Sequence, residues 1–176
     1  MGAAETLSPV LPDAVEEATH RLLHAAARKK RRFATAESCT GGLLASLLTD
    51  VEGVSHVFER GFIVYSEDAK CELLGVDRAL VKDFGAVSRE VAVAMAEGAI
   101  RASRADIALA ITGFAGSRGR SSVPGLVHFA CATRGGATVH REEHFGDIGR
   151  GGTRLQCLRV SLAMLQDAVD AGTAGP

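Results

Sequence analysis

The chain has no tryptophan, a single tyrosine and only 5% aromatic residues in 176. Its core must therefore be built from Ala, Val, Leu and Ile rather than from rings. Its cysteines, Cys39, Cys71, Cys131 and Cys157, form no CxxC pair. That spacing points neither to a zinc site nor to a disulfide framework, and reduced thiols are expected. Charge of one sign is also missing: the formal net charge is -1, unlike the clearly basic balance of a general nucleic-acid binder. No apolar run approaches the length that crosses a bilayer, and the first residues lack the basic-then-apolar pattern of a secretory signal. The expectation is a cytoplasmic protein with neither membrane nor nucleic acid as partner. Met1, Gly2 and Thr6 match the myristoylation pattern only loosely, so an unstructured start is the simpler reading.

What is present is ordinary for one globular domain: 47% hydrophobic residues, 23% charged residues and 20 glycines. The expected organisation is a disordered segment 1–10, a single domain over 11–170 and a frayed tail 171–176. Residues 12–27 carry apolar side chains at helical spacing. The basic run that follows, residues 28–32, reads as a solvated helix C-terminus, where cations are favoured, or as a phosphate patch. Residues 33–36 suit a buried strand, 43–49 a helix and 58–65 a strand. Residues 67–74 suit a short helix stopped by Gly75, and Ser88 can cap a helix through Arg101. Residues 107–112 suit another buried strand, and 126–133 with 138–145 a hairpin. A last helix is expected over 153–169. Strands alternating with helices, then a hairpin, predict an α/β three-layer sandwich, a mixed β-sheet with helices on both faces.

The densest chemistry lies in residues 35–42, TAESCTGG. A strand running through a polar turn into a helix would place Ser38 beside helix N-terminal amides, which can stabilise an oxyanion. Gly41 and Gly42 would leave that backbone open. The plainer reading is that Ser38 or Thr40 merely caps the helix. A serine needs a base; Tyr65 and Lys70 follow a strand end and are candidates, against the plain reading of an interior aromatic and a solvated lysine. Cys39 is the rival nucleophile, or else a small apolar filler. His140 and His144 are four apart, a metal-pair spacing on a helix. In a strand they would lie roughly 13 Å apart, too far to share a metal, so no metal is expected and both are read as solvent-facing.

Taken together, TAESCTGG, FERGFIVYSEDAK (residues 58–70), LGV (74–76), GAVS (85–88), AMAEGA (94–99) and ITGFAG (111–116) resemble the CinA C-terminal domain family. The resemblance is ordered and covers about residues 20–165. That family includes enzymes that deamidate nicotinamide mononucleotide to nicotinic acid mononucleotide and ammonia. The resemblance implies Ser38 as nucleophile, Tyr65 and Lys70 as its activators, and backbone amides near Cys39, Thr40 and Gly41 as the oxyanion hole. It implies that Arg60 and the loop Gly113, Phe114, Ala115 and Gly116 hold the nucleotide, with Arg118, Arg150 and Arg154 as phosphate candidates. It also implies a homodimer, a pyridine-nucleotide partner and no cofactor.

The chain departs from the family pattern at Glu67, commonly Asn. It also departs over residues 117–125, which lack the family's lysine-proline segment, and over 145–150, which read FGDIGR. These departures motivate two alternatives: a nucleotide-binding or regulatory module without turnover, or an amidase for another substrate.

Overall fold

The computed structural model describes residues 11–116 and 123–172. The expectations for residues 1–10 and for Arg118 fall outside those residues. Helix α1 (Asp13–Arg28) buries Val15, Leu22, Leu23 and Ala26 on one face. The basic run after it is used locally: Lys29 Nζ donates to Val169 O at 2.8 Å, and Arg32 pairs with Asp106. It therefore ties α1 to the end of the last helix and to the approach to a central strand.

Five strands follow in the chain: β1 (Phe33–Glu37), β2 (Phe58–Ile63), β3 (Ile107–Gly113), β4 (Leu126–Thr133) and β5 (Thr138–His144). They form one sheet in the order β2-β1-β3-β4-β5. β1 is parallel to β2 and β3, whereas β4 and β5 join antiparallel, so the sheet is mixed. The remaining helices are α2 (Leu43–Leu48), α3 (Glu67–Leu74), α4 (Arg78–Phe84), α5 (Arg89–Arg101) and α6 (Gly149–Ala171).

Strand alternation sorts the core into two layers. Phe33, Leu109, Ile111, Val127 and Phe129 face one side, packed with residues of α1, α2 and α6. Ala34, Ala36, Ala108, Ala110, Ala130 and Ala132 face the other, against α3, α4 and α5. The alanine face has no bulk of its own, so α5 settles close to the sheet. Its Gly98 is needed because a Cβ there would collide with the Leu74 carbonyl.

Three expectations are corrected. Helix α4 was not anticipated, although Asp77 caps it through a bond from Ala79 N at 2.8 Å; its seven residues are too few for Leu80, Val81 and Phe84 to establish a repeat. Helix α6 starts at Gly149 rather than Thr153: Gly149 takes a positive φ of 76° at the entry, and Gly151 and Gly152 lie in the first turn despite the low helix propensity of glycine. His140 is half-buried, not solvent-facing, because its ring stacks on His128 across the β4–β5 pair.

From β1 the chain passes through α2 to β2 on one side, then through α3–α5 to β3 on the other. This reversal leaves a crevice at the carboxyl ends of β1 and β3, the position where open α/β sheets bind ligands.

Candidate active site

The crevice holds Ser38. Its N–H continues the ladder to Ile111 O at 3.0 Å, so its backbone is set by the sheet. Its hydroxyl faces the alanine side, where Lys70 reaches it from α3 with Nζ–Oγ 3.0 Å. Lys70 is 2% exposed, yet no carboxylate contacts its ammonium. Its other partners are the carbonyls of Val64 at 2.9 Å and Tyr65 at 3.4 Å. Burial lowers its pKa from the ordinary lysine value, opposed by the charge of Glu67 and by Cys39 and Cys71. The three N–H donors of the ammonium are met by Ser38 Oγ and the two carbonyls; loss of one proton would leave two N–H groups for the carbonyls and a lone pair able to accept from the Ser38 hydroxyl.

A cavity of about 270 Å³ opens over this pair, near the lower end for small-molecule sites. Tyr65, the loop 113–116, Arg150 and the segment Ala86–Val87 complete its walls. Thr112 fixes that last wall by donating from Oγ1 to Ala86 O at 2.8 Å. A larger apolar groove of about 370 Å³ lies between β4, β5 and the end of α6. It contains neither a serine nor a lysine, so it offers no comparable chemistry.

The turn between Ser38 and α2 departs from the sequence-based expectation. Gly41 and Gly42 both take positive φ, +62° and +94°, folding the chain back on itself. The carboxylate of Glu37, fully buried, then accepts from Gly42 N at 3.1 Å, Leu44 N at 3.1 Å and Ala45 N at 2.8 Å. The first amides of α2 are thus satisfied within the protein and do not face a ligand. Gly41 N is also engaged, donating to Ser38 O at 3.1 Å. Among the described residues, the N–H groups of Cys39 and Thr40 have no backbone or carboxylate acceptor. Glu37 was missed because a glutamate in a strand-like run gives no signal; the clue was a helix whose cap position is glycine, with no side chain to offer.

Other candidates separate clearly. Cys39 reaches the cavity wall, and the neighbouring Cys157 thiol of α6 is the main cause that holds its pKa below the ordinary value. It therefore has a thiol, not a base, as partner. Tyr65 is 68% exposed at the cavity mouth; it touches Lys70 through its carbonyl rather than its hydroxyl. Arg150 lines the cavity. Arg154 donates from Nη2 to Thr40 O, bracing the turn from α6. Arg60 is not at the site. It sits opposite Ala34, toward the far end of the strands, where it bonds Glu59 and donates to Ala102 O at 2.9 Å. Strand pairing alone takes it away from Ser38. Among the described residues, no group of three or more His, Cys, Asp or Glu side chains is arranged to hold a metal ion.

The family model described as CinA C-terminal domain matches residues 15–169. The chain belongs to that family. The CinA domain is 46% identical over 134 residues to the nicotinamide-nucleotide amidohydrolase PncC of Escherichia coli K12, covering 74% of this chain and 80% of that one. It is 52% identical over 108 residues to a putative competence-damage inducible protein of Caldicellulosiruptor bescii, covering 60% of this chain but 26% of that protein. The chain thus spans about a quarter of the length of such longer relatives. Its fold superposes with TM-score 0.88 and 43% identity on the competence/damage inducible protein CihA from Agrobacterium tumefaciens, covering 93% of this chain and 99% of that one.

Proposed function

We propose that this CinA domain is an amidohydrolase that deamidates nicotinamide mononucleotide, with Ser38 as nucleophile and Lys70 as general base. The observation that carries the reading is the buried Lys70 Nζ, 3.0 Å from Ser38 Oγ at the floor of the cavity. The name of the PncC relative supports the substrate.

Neutral Lys70 accepts the Ser38 proton as Oγ attacks the carboxamide carbon. The tetrahedral oxyanion is held by the N–H groups of Cys39 and Thr40. The Lys70 ammonium then protonates the leaving nitrogen, which departs as ammonia and leaves an acyl-serine. A water, deprotonated by Lys70, hydrolyses that ester and frees the carboxylate product and Ser38. The Ser38 proton leaves with ammonia, and the proton that Lys70 takes from water restores the Ser38 hydroxyl, so Lys70 ends the cycle neutral as it began. Arg150 lines the cavity, which supports assigning it to the substrate phosphate.

The test is ammonia release from nicotinamide mononucleotide by wild type beside Ser38→Ala and Lys70→Ala. Release by wild type that is lost in both variants is the expected result. Release that survives Ser38→Ala removes the serine mechanism. A wild type that binds the nucleotide without releasing ammonia removes the amidase reading.

A further inference from the structure

We propose that Glu37 is a positioning residue for the amidase reaction. Its carboxylate holds the turn that carries the oxyanion-binding amides at a fixed distance from Ser38. The inference rests on the amidase reading above and extends it to a residue that neither contacts the cavity nor exchanges a proton.

Two anchors define the turn. On its N-terminal side, Ser38 N is held by Ile111 O at 3.0 Å, and Glu37 O accepts from Val64 N at 2.8 Å. On its C-terminal side, the Ile63 side chain of β2 packs against Gly42, but no backbone group of the sheet bonds it. The Glu37 side chain does so instead, reaching forward over the turn to Gly42, Leu44 and Ala45. Residues 39–41 are therefore held at both ends by the backbone and the side chain of the same residue, with Arg154 of α6 bracing the middle at Thr40 O. The two glycines with positive φ lie inside this loop, where the chain has the most freedom to move.

The carboxylate is suited to this task for three reasons. It is buried with no cation bonded to it, so its bonds to α2 are what offset its desolvation. Bonds to an ionised acceptor are stronger than neutral ones, and a negative group is favoured at a helix start. Finally, α2 has no cap of its own, because Gly42 occupies the cap position. Glu37 thus substitutes for a cap from five residues upstream, and by doing so sets where Cys39 and Thr40 lie. A displacement of about 1 Å in catalytic geometry costs on the order of a hundredfold in rate.

The decisive variant is Glu37→Gln, which keeps size and one carbonyl oxygen. That oxygen can serve only some of the three N–H groups, and the new NH₂ faces a donor. With nicotinamide mononucleotide, kcat is expected to fall about 10- to 100-fold per folded molecule, with KM within about twofold of wild type. The pH at which activity rises should not move, because the groups that set the Lys70 pKa are its burial, Glu67, Cys39 and Cys71. A purely structural role would lower thermal stability and leave kcat per folded molecule intact. Kinetics are therefore taken well below each protein's unfolding temperature.

Amide hydrogen exchange supplies a readout that does not need activity. Leu44 and Ala45 amides should exchange at least about tenfold faster in the variant, with Leu109 in β3 unchanged. Wild-type kcat in Glu37→Gln, a loss expressed only in KM, or unchanged protection at Leu44 and Ala45 would each overturn the inference. If wild type releases no ammonia, it is the amidase reading that fails. The exchange result then still decides whether Glu37 holds the turn.

Discussion

Two clusters of titratable side chains lie on the alanine side of the same sheet, and only one is built to do chemistry. At the carboxyl end of β1, Lys70 meets Ser38 beneath a cavity. Two strands away, His128 Nδ1 lies 3.1 Å from His140 Nε2 and 3.7 Å from Glu142, whose carboxylate also meets His144 at 2.7 Å. Burial is the main cause of a lowered pKa at Lys70, His128 and His140 alike. A perturbed titration therefore does not distinguish them. What does is the partner: Lys70 faces a serine hydroxyl in a cavity, whereas His128 faces another imidazole under a covering helix. The histidine pair reads as a polar contact that closes the sheet edge, the lysine as a base held ready.

The largest expected effect tests that contrast directly. Lys70→Met or Ser38→Ala should lower kcat/KM for nicotinamide mononucleotide by about 10³-fold or more. His128→Gln should stay within about threefold, even if its melting temperature drops. A His128 variant as impaired as the Lys70 variant, at equal folded fraction, would erase the distinction drawn between the clusters.

Arginines provide the next comparison, again between a residue at the crevice and one remote from it. Arg150→Ala should raise KM about tenfold, because a charge-assisted contact to phosphate is lost. Arg60→Ala should leave KM within about twofold, its guanidinium being spent on Glu59 and Ala102. Steady-state kinetics of the two variants side by side would reverse the assignment if Arg60 carried the larger KM change.

How much of this was legible in the sequence follows from how local each signal is. Strands β1 and β3 and the cap at Ser88 could be read from apolar runs and a capping serine. Ser38 and Lys70 were singled out by motif, but their meeting depends on the parallel pairing of β1 with β2, which delivers α3 to Ser38. Arg60 lay in an equally recognisable segment and went to the wrong end of the sheet, since a motif does not state where along a strand the cavity lies. Glu37 was invisible for the opposite reason. Its partners are backbone amides, which leave no trace in side-chain pattern. The start of α6 was hidden by its first-turn glycines, whose low propensity argues against a helix there.

Cys39 beside Ser38 gives a smaller effect. Lys70 Nζ bonds the Ser38 hydroxyl and, among the described residues, no hydrogen bond joins it to the Cys39 thiol, so Cys39→Ala should retain activity within about threefold. Loss of all ammonia release in that variant, with nucleotide binding intact by calorimetry, would transfer the nucleophile from serine to cysteine.

The smallest effect concerns the field around Lys70. Only neutral Lys70 can accept the serine proton, so kcat/KM should rise with pH and level off once the amine is deprotonated. Burial places that levelling below the ordinary lysine range, while Glu67, exposed in the first turn of α3, pulls the pKa back upward. Glu67→Gln removes the upward pull. The rising limb should then move to lower pH, and activity at a fixed pH on that limb should increase by about twofold. The same shift has a stability counterpart. The folded-state pKa of Lys70 lies below its unfolded value, so the unfolded chain binds more protons between the two and stability rises with pH across that window. Lys70→Met should flatten this rise in urea unfolding, and Glu67→Gln should keep it but start it at lower pH. A limb that moves upward in Glu67→Gln, or does not respond to Lys70→Met in the unfolding series, would mean that the charge felt by the catalytic turn is not that of Lys70.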